Sequence, residues 1–365
     1  MFDAVSQYLS CHCGEPKPRA KSGGTEGSVT IFVFLITSEI ASVVSLPRND
    51  VMTQSVWHRG KVRGGRIMRF RKAGKVTERL WHLGREEAGV YILEGRNGMI
   101  LINGGMSFIL PDVQEQMKTF GIDAEKIRKI LILHSHFDHV GIVPYFTRNY
   151  PGIQVYASRQ AWEILARPKA IEIINSFSRL SAKQVGREGI FDSYDLDWRD
   201  DITGVTLTEG DTIDLGDVTL SILETPGHSN CSVTAFEPDR KALFASDAVG
   251  VPYGDFCFPS MNTNITQYLE SLEKLKSLPV SYVCADHYGY ITGDEAVRFI
   301  DLTIEEGCKW RAIMEDIYRS YNGDIDAAGK VITNYFYQQM PDYFITREIL
   351  EGVFKQMLKF IAKNL

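Results

Sequence analysis

The sequence predicts an α/β fold, an αββα sandwich with a C-terminal helical extension. Three observations predict it. Short apolar runs alternate with helical patterns from residue 76 onward, that arrangement occurs twice, and from about Asp294 the chain reads as helix to its end.

Val76–Leu83, Gly89–Leu93 and Met99–Ile102 are rich in Val, Ile and Leu, with Gly, Asn and Glu between them, as expected of adjacent strands joined by turns. A helical pattern around Val113–Phe120 leads to a buried strand, Ile127–Leu133. A helix from Val140 to Asn149, a strand at Ile153–Tyr156 and a helix beginning near Arg159 follow. Within 168–185, Ile171, Ile174, Phe177 and Leu180 step by three, a helix with no strand directly after it and so a candidate lid. The second half repeats the scheme with strands at Val205–Thr208, Thr212–Leu215, Val218–Glu224, Val233–Phe236 and Ala242–Ala245. A helix at Thr266–Leu278 and a strand at Val280–Ala285 complete it. In the helical extension only Val331–Tyr337 has a strand-like texture. The expected organisation is a poorly ordered leader over 1–75, a folded domain over 76–293 and the extension over 294–365.

At 365 residues, 44% apolar and 24% charged, the composition is that of an ordinary globular protein. The charge is unevenly placed. Residues 1–79 hold 13 Lys+Arg and 6 Asp+Glu; removing them from the totals of 40 and 46 leaves 27 basic and 40 acidic residues, net −13, in 80–365. So acidic a domain repels phosphate backbones, which argues against a nucleic-acid partner and for a small-molecule substrate. Cysteines 11, 13, 231, 257, 284 and 308 show no framework spacing, so free thiols and a cytoplasmic location are expected. Cys11-His12-Cys13 lacks the second ligand pair that a zinc site needs. The apolar stretch Ser28–Leu46 is interrupted by Glu39, too short a run for a membrane span, and is either a targeting segment or part of the leader.

The chemistry concentrates in Leu131-Ile-Leu-His-Ser-His-Phe-Asp-His-Val140. Three of the chain's 8 histidines and one aspartate fall within six residues after an apolar strand. Strand ends are where α/β folds place their sites, and imidazole with carboxylate suits borderline divalent cations. His228 in Pro226-Gly227-His228, His287 in Asp286-His287-Tyr288-Gly289 and Asp247 in Phe244-Ala-Ser-Asp247 each follow a further predicted strand. Seven good ligands at strand ends are not what scatter produces.

The HxHxDH string, the TPGHS string at 225–229, the SDA string at 246–248 and the late His287 resemble, in order, the motifs of the metallo-β-lactamase superfamily. That resemblance covers roughly residues 80–290 and implies the αββα fold. It implies two divalent metal ions, zinc or iron with manganese also acceptable. His134, His136 and His228 would hold the first, Asp138, His139 and His287 the second, and Asp247 would bridge them. Asn103 departs from the pattern, because the superfamily usually has Asp there as a supporting group. The implied mechanism is hydrolytic: two cations about 3.5–4 Å apart lower the pKa of a bridging water, and the resulting hydroxide attacks a carbonyl. Asp138 would also hydrogen-bond that nucleophile, its catalytic role.

Among the branches, Asp247 in place of Cys argues against the familiar β-lactamases. Glyoxalase II has a Gly- and Arg-rich string where this chain reads Ala248-Val-Gly-Val-Pro-Tyr253. Gly250 stands where quorum-quenching lactonases have Tyr, and His136 disfavours the flavodiiron proteins. Gly141-Ile-Val-Pro-Tyr145, Ile153–Ser158, the string Tyr268-Leu-Glu-Ser-Leu-Glu-Lys-Leu and the helical tail resemble the quinolone-signal response thioesterases of the PqsE type. A thioesterase or esterase, roofed by its tail, is the implied activity. A di-iron oxygen- or nitric-oxide-handling protein and a regulatory protein with incidental hydrolysis are the alternatives. Homodimers are common in such relatives. Tyr253, Phe256, Phe258 and, on the lid, Phe177 are the expected substrate-binding walls; core packing is an equally good account of each.

Overall fold

The structure is a computed structural model and describes residues 68–365. The expectations for Cys11-His12-Cys13 and for Ser28–Leu46 lie outside the described residues.

The first half contributes strands β1 (Arg69–Phe70), β2 (Gly74–Thr77), β3 (Leu80–Arg85), β4 (Ala88–Gly95), β5 (Gly98–Ile102), β6 (Ile127–Leu131), β7 (Gln154–Ser158) and β8 (Gly204–Leu207). Between them run helices α1 (Leu110–Phe120), α2 (Phe137–Val140), α3 (Val143–Asn149), α4 (Arg159–Leu165), α5 (Pro168–Gln184) and α6 (Ile190–Ser193). The second half adds β9 (Thr212–Asp214), β10 (Thr219–Glu224), β11 (Val233–Glu237), β12 (Ala242–Phe244), β13 (Val251–Tyr253), β14 (Phe256–Phe258), α7 (Ile265–Leu275), β15 (Tyr282–Cys284) and β16 (Tyr290–Thr292). The extension is three helices, α8 (Gly293–Ser320), α9 (Ile325–Gln339) and α10 (Arg347–Asn364).

Two seven-stranded sheets result, in the orders β2-β3-β4-β5-β6-β7-β8 and β1-β16-β15-β12-β11-β10-β9. Strands β5 to β8 pair parallel to one another, as do β12 and β15, which places several strand C-termini at one edge. Three apolar layers hold the sandwich. Leu93, Ile100, Leu131, Leu220, Val233 and Phe244 fill the space between the sheets. Val90, Leu101, Val113, Ile130 and Val143 pack the first sheet on its helices. Leu243, Tyr268, Val283, Phe299, Trp310 and Phe336 pack the second sheet on α7 and the extension. Burial of whole apolar strand faces, at roughly 25 cal/mol per Å² of apolar surface, is the driving force.

Three sequence expectations change. Residues 69–75, placed in the leader, form β1 and the start of β2: Phe70 stacks on Tyr290 with ring centroids 5.0 Å apart, and Arg69 pairs with the buried Glu295 at 2.6 Å. Val331–Tyr337 is helical, within α9, where Ala328, Ile332 and Phe336 recur every four residues on the buried face. The stretch Val76–Leu83 is two strands broken at Glu78-Arg79, with Arg79 at φ 60°. The lid helix expected at 168–185 is α5, capped off at Val185.

Candidate metal centre

All seven predicted ligands converge beyond the strand ends of β6, β10, β12 and β15. Three groups form, each with ligand atoms within 4.8 Å of one another: His134, His136 and His228; His134, His139 and Asp247; Asp138, His139 and His287. Asp247 sits between the outer two, its Oδ2 3.4 Å from the Nε2 atoms of both His139 and His228 and its Oδ1 3.6 Å from His287 Nε2. Asp138 Oδ2 lies 3.6 Å from His139 Nε2 and 3.5 Å from His287 Nε2. Six of the seven are buried, and His136 is the half-buried one, marking the side of approach.

The backbone at the site is contorted. Asn103 (φ 61°), Ser246 (φ 49°) and Tyr288 (φ 60°) adopt the left-handed region that side chains usually avoid, and each adjoins the site. Gly227, at φ 134°, has no such freedom of choice: a Cβ there would lie 2.3 Å from the Tyr268 backbone, so glycine alone lets the Pro226-Gly227-His228 turn close.

Hydrogen bonds orient the imidazoles. His139 Nδ1 donates to Asp286 Oδ2 at 2.9 Å, His228 Nδ1 to the Ser260 carbonyl at 2.9 Å, and His287 Nδ1 to the Glu87 carbonyl at 2.7 Å. Each bond fixes the proton on Nδ1 and leaves the Nε2 lone pair pointing inward. The inward nitrogens then crowd together: His228 Nε2 is 3.0 Å from His136 Nδ1, and His287 Nε2 is 3.3 Å from His139 Nε2. His134 Nε2 is buried with no hydrogen-bond partner. Such an array of inward imidazole nitrogens beside two carboxylates is the donor set of a cation site, so the residues fit divalent metal ions.

The electrostatics agree. Burial, reinforced by neighbouring imidazoles, holds His134 well below the ordinary histidine range and pushes His136 down to about 4. Burial also opposes charge on Asp138 and Asp247, but the imidazoles facing them keep both carboxyls below the carboxylate range. At His139 and His287 burial is outweighed by Asp138 and Asp247, which push both rings above the ordinary histidine range, so a cation binding there displaces protons from them.

Sequence reasoning missed the supports. Asp286 also accepts bonds from the Asn103 amide and the Ser246 hydroxyl, while Asn103 Oδ1 accepts from Leu133 N at 2.8 Å. An acidic residue directly before the last ligand histidine was the available signal. Missed too was the loop between α9 and α10, where Phe344 stacks on His287 with centroids 4.1 Å apart.

A cavity of about 680 Å³ is walled by Met106, Phe108, Val185, Tyr253, Tyr288 and Phe344 among others; none of the seven His/Asp side chains lines it, and it nears the centre through Phe344 and Glu87, which touch His287. Of the expected wall residues, Tyr253 lines it. Phe177 instead packs on Phe137, centroids 5.5 Å apart, behind Asp138. Phe256 packs against the helical layer, and Phe258, further from the hairpin turn, is buried in it between Trp310 and Phe336.

An αββα sandwich with a buried His/Asp cluster at its strand ends defines a metal-binding class of protein. The family model of the metallo-beta-lactamase superfamily matches residues 84–287, and the chain belongs to that superfamily. It is similar to the acyl-coenzyme A thioesterase MBLAC2 of Bos taurus, 29% identical over 190 residues, covering 48% of this chain and 62% of that protein. It is likewise similar to the hydroxyacylglutathione hydrolase of Hahella chejuensis, 29% identical over 181 residues, 48% of this chain and 54% of that one. The matches therefore span little more than half of these relatives. Among solved structures, the metallo-beta-lactamase family protein TTHA1429 of Thermus thermophilus superposes with a TM-score of 0.56 at 16% identity, covering 80% of this chain and 95% of that one, a likeness of fold alone. No helix among the described residues is long and apolar enough to cross a membrane.

Proposed function

We propose that the chain is a binuclear metal-dependent hydrolase of thioesters or esters. The observation that carries this reading is the convergence of inward imidazole lone pairs on two carboxylates, with Asp247 equidistant from His139 and His228. His134, His136 and His228 would hold one ion, Asp138, His139 and His287 the other, and Asp247 both. Bound divalent ions supply a water acidified enough to be hydroxide near neutral pH and a Lewis acid for the carbonyl.

The remaining work falls to the chain itself. Asp138 accepts a hydrogen bond from the attacking water and so directs its lone pair at the carbonyl carbon. The partners behind the imidazoles, Asp286, Ser260 and Glu87, lock the rings so that no reorganisation is needed during the reaction. Phe344 and the α9–α10 loop shield the His287 side from bulk water, and the apolar part of the cavity, Met106, Phe108, Phe344 and Ile345, receives the acyl group. The acyl-coenzyme A thioesterase and hydroxyacylglutathione hydrolase relatives support a thioester as the bond broken.

The test is metal analysis of the purified chain, followed by hydrolysis of thioester, lactone and aryl-ester probes. Two bound ions per chain, and at least 100-fold slower hydrolysis with loss of metal in His136→Ala, are expected for this reading, a magnitude consistent with losing a catalytic ligand. Hydrolysis unchanged by that substitution would refute it.

A further inference from the structure

Resting on that hydrolase reading, we propose that the cavity selects an uncharged thioester or ester with an apolar acyl chain and discriminates against nucleotide thioesters of the CoA type. The charged residues that wall the cavity are Arg71, Glu86, Glu87 and Asp342, one cation against three carboxylates. The cation is committed: Arg71 pairs with Glu86 and lies 5.1 Å over the Tyr288 ring. Glu87 pairs with Arg85 at 2.6 Å, and Asp342 has no ion-pair partner among the described residues. The wall therefore offers a phosphate no free guanidinium or ammonium.

A second feature has the same sign. Ser181, Gln184 and Val185, at the C-terminal end of α5, wall the cavity. That end of a helix carries its partial negative charge, which repels an anion where a helix N-terminus would attract one. Lys72 and Lys183 neighbour wall residues but are exposed and outside the walls. The interior is apolar, with Met106, Phe108, Phe344 and Ile345 facing Tyr253 and Tyr288. Such a surface rewards an alkyl or aryl acyl group and leaves a multiply charged leaving group facing like charge at the mouth.

The experiment compares one acyl group, hexanoyl, on CoA and on uncharged N-acetylcysteamine, using the full metal-loaded chain at rising NaCl. The uncharged thioester should show a kcat/KM at least tenfold higher at low salt and insensitive to salt. The CoA ester should improve as salt screens the repulsion. Glu86→Gln, which releases Arg71, should raise kcat/KM for the CoA ester several-fold. Calorimetric binding of the uncleavable thioether analogues to metal-free protein should follow the same order. A CoA ester that is cleaved as fast or faster, or whose rate falls with salt, overturns the selectivity while leaving the hydrolase reading intact. Absence of any His136-dependent cleavage of both probes overturns the two together.

Discussion

Asn103 and Asp286 meet side chain to side chain across the two halves of the sandwich, the amide of one donating to the carboxylate that holds His139. The superfamily pattern led to an expectation of carboxylate at 103, and this chain has it at 286. The carboxylate behind His139 thus comes from the end of β15 and not from residue 103.

That exchange predicts a rescue. Asn103→Asp alone sets two carboxylates against each other in a buried space, and Asp286→Asn alone leaves His139 Nδ1 without its anionic acceptor. Each should weaken metal affinity about 10–100-fold, the usual range for losing an outer-shell partner. The double exchange restores one amide and one carboxylate and should recover at least half of the loss on a logarithmic scale. Chelator competition measures all three. A double variant as weak as the sum of the singles means that the two side chains do not act as a pair.

Phe344 covers the His287 ring, centroids 4.1 Å apart and planes 25° off parallel. Removing a half-buried aromatic costs about 1–3 kcal/mol of stability and opens the site to water. Phe344→Ala should lower the melting temperature by a few degrees, speed metal loss to a chelator and raise KM for long acyl chains more than for acetyl. Phe344→Leu, which keeps the wall apolar, should restore most of the KM. An unaltered chain-length preference in Phe344→Ala would mean that the acyl group lies elsewhere.

The sheets, the His/Asp cluster and the helices of the extension were legible because each obeys a local rule: strand runs between turns, imidazoles after strands, a continuous period near four. What was not legible depends on distant partners. Arg69-Phe70 reads as part of a basic leader until Glu295 and Tyr290 are present to receive it. Phe258 and Tyr253 look alike in sequence and share one face of the β13–β14 hairpin; only their place along it sets Phe258 among Trp310 and Phe336 and Tyr253, near the turn, at the cavity. Asp286 was visible as a residue, but its work depends on Asn103, far away in sequence and close in space. Val331–Tyr337 misled because Val, Ile, Tyr and Phe favour strands; the packing of Ile332 and Phe336 on α8 and α10 overrides that preference.

His82 supplies a pH dependence. It is fully buried between Tyr91 and Tyr290, and burial pushes its pKa down to about 4, against the small upward pulls of the Lys72 carbonyl and Asp286. A depressed pKa means that the unfolded chain binds the proton more readily, so stability rises with pH between the two pKa values. The contribution is complete above about pH 6.5 and is lost progressively as pH falls toward 4, up to about 3 kcal/mol at the full shift. His82→Leu should flatten that limb in urea unfolding of the metal-free chain followed from pH 7 to pH 4, and an unchanged limb would assign it to other groups.

Arg69 and Glu295 form an enclosed ion pair away from the candidate metal centre, with side chains 8% and 7% exposed and Nε–Oε1 at 2.6 Å. Arg69 Nη1 also donates to the carbonyls of Gly254 and Phe256, each at 2.7 Å, so one guanidinium ties β1 to α8 and to the β13–β14 hairpin. A buried pair gains little over apolar replacement, but a lone buried charge costs several kcal/mol. Arg69→Met strands Glu295, whose Oε2 already lacks a partner, and should destabilise by about 3–5 kcal/mol. The double variant Arg69→Met, Glu295→Met removes both charges and should be less destabilised than Arg69→Met alone, although the hairpin carbonyls still lose their donor. Urea midpoints at pH 7 decide it: single and double variants that differ by simple addition would show that Arg69 acts through the hairpin and not through Glu295.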